Sequence, residues 1–169
     1  AIEAAELLLA YFPQHNDEEP PRWPTDDDVE RLIPEAGELL PASSNGSYDV
    51  REVIRALADD GDLLEMRPRW ATNVVTAYVT VGGMPAGVVA NQPLALAGTL
   101  DIPASQKAAR FVSTCDAFNL PIITLVDETT RRRAHRADAC MSRRQHACPR
   151  RVVRRMSVHC FISAVAFPN

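Results

Sequence analysis

The 169-residue sequence predicts an α/β fold, and three neighbouring segments carry this prediction. Apolar and polar residues alternate from Asn73 to Val81, which is typical of a β-strand with one buried face. Apolar residues recur at helical spacing from Pro103 to Phe118. The apolar, β-branched run from Ile122 to Val126 is typical of a strand covered on both faces. Strand, helix and strand in this order indicate a right-handed parallel crossover.

A hairpin and a loop complete this core. Gly82-Gly83 provides the positive φ angles of a tight turn, and the run from Ala86 to Ala90 predicts a second strand because it is too short for a helix. Residues 91–102 then form a loop. Pro121 ends the long helix, because proline disfavours a helical backbone at the residue before it.

The first part of the chain is predicted to be helical or irregular. Helices are expected from Ile2 to Phe12 and from Asp26 to Ile33, where three aspartates oppose the positive end of the helix dipole. Residues 34–46 are predicted to be an irregular linker.

The segment from Asp49 to Asp60 has helix signals at both ends. Asp49 is a predicted N-cap with Glu52 three residues later, which is a variant of the capping box. Gly61 can adopt the left-handed conformation that commonly follows a helix.

Charge and composition change abruptly after Asp127. Residues 1–127 contain 20 Asp and Glu against 8 Lys and Arg, a net charge of −12, whereas residues 128–169 contain 10 Arg against 2 acids, a net charge of +8. The second segment also holds three of the four cysteines and three of the four histidines, and it contains no glycine. We predict that it is poorly ordered, with a short helix or strand within Cys148 to Phe167, and hypothesise that it arose from a shifted reading frame.

Several blocks of residues resemble the carboxyltransferase (β) subunit of biotin-dependent acyl-CoA carboxylases, of the propionyl-CoA and acetyl-CoA carboxylase type. They are Tyr48 to Ile54, Val88 to Pro93, Ala97 to Asp101, Lys107 to Val112 and Thr114 to Asn119. The resemblance covers residues 1–127 and implies a crotonase-like fold of repeated ββα units. It also implies that residues 1–47 are the end of an N-terminal domain with its linker, and that residues 48–127 are part of the C-terminal, biotin-side domain.

The resemblance implies a reaction that moves a carboxyl group from carboxybiotin to the α-carbon of a short acyl-CoA. Its partners would be acyl-CoA, further copies of the subunit, and biotin on a separate carrier protein or α-subunit, with no cofactor bound directly. Such a reaction needs backbone N–H pairs where negative charge develops. The resemblance places those pairs outside residues 1–127, so no catalytic residue is assigned and the chain alone is expected to be an inactive fragment.

Four residues are candidates for binding biotin or CoA. Ala97 and Gly98 lie where related crotonase-fold enzymes place one N–H donor, although a compact turn explains Gly98 equally well. Asn91 and Gln92 end a strand beside that loop, and they could instead bond loop backbone groups. On the long helix, Cys115 is predicted to be core, and Lys107 and Arg110 are predicted to be solvated, with CoA phosphates as possible partners.

Other functions have less support. The tail has His and Cys residues without the paired spacing of zinc sites, so no metal is predicted. Its arginine pairs could bind nucleic acid or an anionic membrane, but no aromatic residues are interleaved with them. The chain could also be a non-functional pseudogene product. No apolar run reaches the length of about 20 residues needed to span a bilayer, and no signal peptide is evident, so a cytoplasmic location is expected.

Overall fold

The computed structural model describes residues 2–28, 31–41, 46–127 and 158–162. The helices are α1 (Ile2–Leu9), α2 (Pro34–Glu38), α3 (Val50–Leu57) and α4 (Ile102–Ala117), with short 3-10 turns at Asp59–Gly61 and Leu96–Gly98. The strands are β1 (Leu64–Glu65), β2 (Val74–Val81), β3 (Met84–Asn91), β4 (Ile122–Asp127) and β5 (Val158–Ile162).

The five strands form one sheet in the order β1-β2-β3-β4-β5. Strands β1, β2 and β3 are antiparallel, whereas β3, β4 and β5 are parallel. Val81 pairs with Met84, so Gly82 and Gly83 form a two-residue hairpin turn, with φ angles of 58° and 71°. Helix α4 connects β3 to the parallel β4. The predicted hairpin and parallel crossover are confirmed.

Helices cover both faces of the sheet. On one face, Val53 and Ile54 of α3 pack against Val75, Val79 and Val88. On the other face, a cluster that includes α4 side chains packs around Tyr78; its buried members are Tyr11, Tyr78, Phe111, Cys115 and Leu120. The prediction that β2 has only one buried face is therefore wrong. Its polar face is also buried, because α4 covers it and the Thr76 hydroxyl donates a 3.2 Å hydrogen bond to the Met66 carbonyl.

The N-terminal predictions are confirmed only in part. Helix α1 ends at Leu9, before the predicted Phe12. The described residues between Asp26 and Ile33 are not helical, and the short helix α2 begins instead at Pro34, inside the predicted linker. Proline favours the first turn of a helix, where its missing N–H would have no helical partner.

Helix α3 has the predicted N-cap but no capping box. The Asp49 carboxylate accepts from the Arg51 N–H at 3.0 Å. Glu52 does not complete the box; its carboxylate pairs with Arg55 on the same helix. The helix ends at Leu57, before the predicted Asp60, and its C-cap is the extended Ala58, so the prediction that Gly61 forms the C-terminal turn is wrong. Gly61 has a left-handed φ of 72°, but within the 3-10 turn Asp59–Gly61.

Strand β4 is less covered than its composition predicts. Leu125 is buried, but Ile123 and Val126 are half-buried. Its neighbour β5 comes from the basic segment, with Ile123 opposite Val158 and Asp127 opposite Ile162. A short strand within residues 148–167 is thus present, and the other predictions for residues 128–157 and 163–169 lie outside the described residues. Among the described residues, no helix is both long enough and apolar enough to cross a membrane.

Candidate functional site

Three buried side-chain amides surround the loop at the carboxyl end of β3. Asn73, Asn91 and Gln92 are exposed by 2%, 8% and 2% respectively. Asn73 precedes β2, while Asn91 ends β3 and Gln92 follows it. The backbone joins them, since the Gln92 N–H donates to the Asn73 carbonyl at 3.0 Å. The structure therefore brings the predicted residues Asn91 and Gln92 together with a third amide that was not predicted.

Gln92 links this loop to the start of helix α3. Its Nε2 atom donates to the Asp49 Oδ1 atom at 2.6 Å, and its Oε1 atom accepts from the N–H groups of Val50 and Leu94 at 3.4 Å each. The side chain is thus bonded within the protein at both ends. This is the structural alternative that the sequence left open, and contact of Gln92 with biotin or CoA remains a prediction.

The side-chain amides of the two asparagines are also bonded to groups of the protein. Asn91 donates from Nδ2 to the Gly98 carbonyl at 2.7 Å. Asn73 donates from Nδ2 to the Thr99 carbonyl at 2.7 Å and to the Asp101 carboxylate at 3.2 Å. Because a buried carbonyl needs a donor, these two amides fix the path of the loop from residue 98 to residue 101.

The loop contains three consecutive residues in the left-handed backbone region. Leu96, Ala97 and Gly98 have φ angles of 51°, 50° and 67°. Only glycine adopts this region without strain, and each other residue there costs about 1–2 kcal/mol. Strained turns of this kind are concentrated at ligand-binding and active sites. We call these three residues the left-handed turn.

The left-handed turn exposes Ala97 and buries Gly98. The Gly98 N–H donates to the Ala95 carbonyl at 2.9 Å, and the Thr99 N–H donates to the Leu96 carbonyl at 3.0 Å. Of the two predicted N–H donors, Gly98 is thus bonded inside the turn. Ala97 is exposed at the surface of the turn and has only a methyl side chain. A ligand can approach the backbone closely at such a position.

Two carboxylates touch this site, and both have structural partners. Asp101 caps α4 by accepting from the Ala104 N–H at 2.9 Å. Burial disfavours the charge of Asp49, but the Arg51 N–H, the Gln92 amide and the Arg51 guanidinium outweigh it and hold the pKa of Asp49 below its usual value. Both groups are therefore acceptors that organise backbone. No group of three or more potential metal-ligating side chains exists among the described residues.

Lys107 does not lie on a solvated face as predicted. Only 3% of it is exposed, and its Nζ atom donates to the carbonyls of Val74 at 2.9 Å and Ala71 at 3.4 Å. Desolvation lowers its pKa from the usual value for lysine. The side chain satisfies carbonyls at the start of β2. Arg110, one turn further along α4, is exposed as predicted, and Cys115 is fully buried as predicted.

Comparison with known proteins places this geometry in a family. Residues 1–130 match the carboxyl transferase domain, which is more than half of the chain. The chain belongs to the carboxyl transferase domain family. The resemblance inferred from the sequence is therefore confirmed, and the match ends close to the point where the charge of the chain changes sign.

Among similar proteins are two carboxylase beta subunits. The propionyl-CoA carboxylase beta chain of Roseobacter denitrificans is 46% identical over 127 residues, covering 75% of this chain and 25% of that protein. The biotin-dependent acetyl-/propionyl-coenzyme A carboxylase beta5 subunit of Mycobacterium tuberculosis is 47% identical over 134 residues, covering 75% and 24%. The chain thus spans about a quarter of the length of these relatives.

A solved carboxyl transferase structure confirms the crotonase-like α/β fold. The transcarboxylase 12S crystal structure, a hexamer assembly with hydrolysed methylmalonyl-coenzyme A bound, superposes with a TM-score of 0.71 at 45% identity, covering 74% of this chain and 25% of that chain.

Sequence reasoning singled out the candidate loop of residues 91–102 but not the residues that support it. Asn73 was missed because it reads as the polar start of the β2 segment, and Lys107 because it lies within the amphipathic helix and reads as part of its polar face. One signal was present for Lys107: it is the only lysine in the chain, and it lies four residues before the core residue Phe111.

Proposed function

We propose that this chain forms part of a carboxyltransferase that moves a carboxyl group from carboxybiotin to the α-carbon of a short acyl-CoA. The observation that carries the proposal is the left-handed turn at the carboxyl end of β3, in a chain 46% identical to a propionyl-CoA carboxylase beta chain. In this reading, residues 48–127 are a scaffold of the biotin-side domain, and residues 1–47 are the end of the domain before it.

The residues of the turn fit one wall of a site for the biotin ureido group or the acyl thioester. The exposed Ala97 carries no side chain beyond its methyl group, and the buried Asn91 amide holds the next residue from behind through the Gly98 carbonyl. Carboxybiotin, when bound, supplies the carboxyl group and leaves negative charge on its ureido oxygen. The protein's part is to present aligned backbone dipoles there without reorganisation.

The two carboxylates at the site orient backbone and side chains rather than transfer protons. Asp49 and Asp101, the carboxylates at the site, are engaged by Gln92 and by the α4 backbone respectively. Neither is therefore available as a general base, which would have to reach the α-proton of the substrate. We infer that the chain alone does not catalyse carboxyl transfer.

A chimeric enzyme tests the proposal. Residues 1–127 of this chain would replace the matching quarter of the Roseobacter denitrificans propionyl-CoA carboxylase beta chain. We expect carboxyltransfer from biotin to propionyl-CoA within about tenfold of the parent, because the segment would supply an equivalent loop. A chimera that assembles like the parent but shows no transfer would overturn the proposal.

Variants at one position of the chimera locate the site. Ala97→Trp should lower kcat/KM by at least about a hundredfold, because a displacement of reacting groups by about 1 Å costs that much. Ala97→Ser, which keeps the approach to the backbone open, is the matched control and should stay within about tenfold of the chimera. Equal effects of the two variants would exclude the turn from the site.

The isolated 169-residue chain provides a separate measurement. We expect no decarboxylation of malonyl-CoA or methylmalonyl-CoA with free biotin above the rate without protein. Turnover by the purified chain would contradict the inference that it lacks a base.

A further inference from the structure

A cleft between α1 and α4 is lined by apolar, aromatic and basic side chains. Its volume is about 610 Å³, within the range of about 300–1,000 Å³ typical of small-molecule pockets. Most of its walls are apolar and aromatic. They include Leu8, Phe12, Tyr78, Phe111 and Phe118. We call it the α1–α4 cleft, and its lining includes none of the four residues assigned above as ligand candidates.

The walls of the α1–α4 cleft are fixed by aromatic packing. The ring centroids of Phe12 and Phe118 lie 4.9 Å apart, and those of Tyr78 and Phe111 lie 4.8 Å apart. Phe12 also packs edge-on against Tyr78 at 5.2 Å. Because these contacts join the segment after α1, the sheet, and α4 with its C-cap residue, they give the cleft a defined apolar floor.

All charged residues that line the cleft are cations. They are Arg67, Lys107 and Arg110, and no aspartate or glutamate is among the described lining residues. Residues 1–127 hold 20 acids against 8 basic residues, so three cations without an acid are not what this composition would place at random. The cleft is an electropositive region on an acidic body.

The arginine head groups are not consumed by ion pairs. Neither Arg67 nor Arg110 forms a salt bridge within the described part of the chain, although the Arg67 guanidinium lies 5.5 Å from the centre of the Trp70 ring. The Glu65 carboxylate interacts electrostatically with Lys107, but it already accepts hydrogen bonds from the Arg51 guanidinium at 2.7 and 3.1 Å. Guanidinium groups bind carboxylates and phosphates through paired hydrogen bonds, so both arginines can bind an added anion.

We propose that the α1–α4 cleft binds an amphiphilic anion, with an apolar chain along the aromatic floor and a carboxylate or phosphate head group between Arg67 and Arg110. Apolar walls with a few convergent charged groups are the usual composition of small-molecule sites. This inference does not depend on the carboxyltransferase proposal, because it uses no residue of the left-handed turn or of its supporting amides and needs no turnover.

Binding is measured by titration calorimetry of the full 169-residue chain with decanoate and with decyl phosphate, below their micelle concentrations. Saturable binding of at least one is expected, and the tighter of the two identifies the head group. Decanol and decyltrimethylammonium test the charge, and inorganic phosphate tests the need for a chain. Each should bind at least about tenfold more weakly, the effect of losing one charge-assisted hydrogen bond or more. Decanol binding as tightly as decanoate would overturn the proposal.

Two pairs of variants assign the binding to the cleft rather than to the ten arginines of the basic segment. Thr114 lines the cleft and Ser113 does not, and both are exposed on α4 with their hydroxyls bonded to carbonyls four residues earlier. Thr114→Trp should abolish binding by filling the cleft, and Ser113→Trp should leave it unchanged.

The second pair concerns the head group. Arg110→Met should weaken decanoate binding by about tenfold, and Arg22→Met, at an exposed arginine outside the cleft, should not change it. Equal loss of binding in the two members of either pair would show that the cleft is not the site. No saturable binding of either anion would likewise refute the inference.

Discussion

Helix α4 lies so close to strand β3 that position 87 has no room for a side chain. A Cβ atom on Gly87 would lie 2.6 Å from the Cys115 Sγ atom and 3.0 Å from the Phe111 Cε1 atom. Cys115 is fully buried, so its sulfur has no solvent to move toward. The absence of one methyl group at this position therefore sets the spacing between helix and sheet.

Gly87→Ala should lower the free energy of unfolding by about 1–3 kcal/mol, because overpacking forces a shift of α4. Urea denaturation measures the change. Gly37→Ala is the control: its Cβ would meet nothing within 4 Å, and no loss of stability is expected. The double variant Gly87→Ala/Cys115→Ala should recover part of the loss, because the closest atom is removed. Additive losses would contradict this packing argument.

The Cys115 thiol also gives the fold an alkaline pH dependence. Burial raises its pKa from 9.0 to about 12. Between these values the unfolded chain releases the proton and the folded chain keeps it. The contribution of this thiol to the free energy of unfolding should therefore be undiminished below about pH 9 and fall by at most about 1.4 kcal/mol per pH unit above it.

Cys115→Ala should flatten this fall without abolishing it, because burial also raises the pKa of Tyr78. Urea midpoints of both proteins between about pH 8 and about pH 11, with reductant present for the other cysteines, measure the difference. Parallel curves for the two proteins would show that the thiol does not titrate differently on unfolding.

At the scale of elements, one carboxylate fixes the β2–β3 hairpin to the end of α3. Asp59 is 5% exposed, and its two oxygens accept from the N–H groups of Gly82 and Gly83 at 2.9 and 2.8 Å. Gly83 is held from the other side as well, since its carbonyl accepts from the Trp23 N–H at 2.8 Å. The turn thereby joins three segments that are distant in sequence.

Asp59→Asn should destabilise the protein by about 1.5–3 kcal/mol, because an amide offers one acceptor to two donors and loses the charge. Asp60→Asn is the matched control. Asp60 is exposed with φ of 54°, which asparagine tolerates, so its change should stay within about 0.5 kcal/mol. Urea denaturation of both variants distinguishes the two positions, and an equal loss would show that the carboxylate bonds contribute nothing specific.

The elements themselves were largely predictable, but the contacts between them were not. Periodicity and turn residues were sufficient for β2, the Gly82-Gly83 turn and α4, because these signals are local. The roles of Asp59, Asn73 and Lys107 depend on partners 23 to 36 residues away, as in the Lys107 bond to Ala71. A single sequence contains no local signal for such pairings. The candidate loop was found through the family resemblance. Its left-handed backbone was not predictable, because Leu96 and Ala97 adopt positive φ angles although neither is a glycine.

At the scale of the whole molecule, the acidic carboxyl transferase segment and the basic segment meet at the β4–β5 pair. The family match ends at residue 130, and β5 begins at Val158. A strand from outside the family match thus lies beside β4, which would otherwise be the edge of the sheet. An unpaired edge favours aggregation, so β5 shields the hydrogen-bonding groups of β4.

Proline substitution tests this pairing. Successive N–H groups of a strand point to opposite sides, so one of His159→Pro and Cys160→Pro must remove a donor to β4. That variant should speed hydrogen exchange of the β4 amides, whereas the other proline and His159→Ala should have little effect. Unchanged exchange in both proline variants would exclude the pairing.

The sheet is also unequal at its two margins. The outer strand β1 is two residues long, while the opposite margin consists of parallel strands. Strand β1 pairs only with Ala77 and Tyr78, so among the described residues most of the eight-residue β2 has no partner strand on that side. An engineered strand that replaced and lengthened β1 would therefore extend the sheet from β2, as β5 extends it from β4.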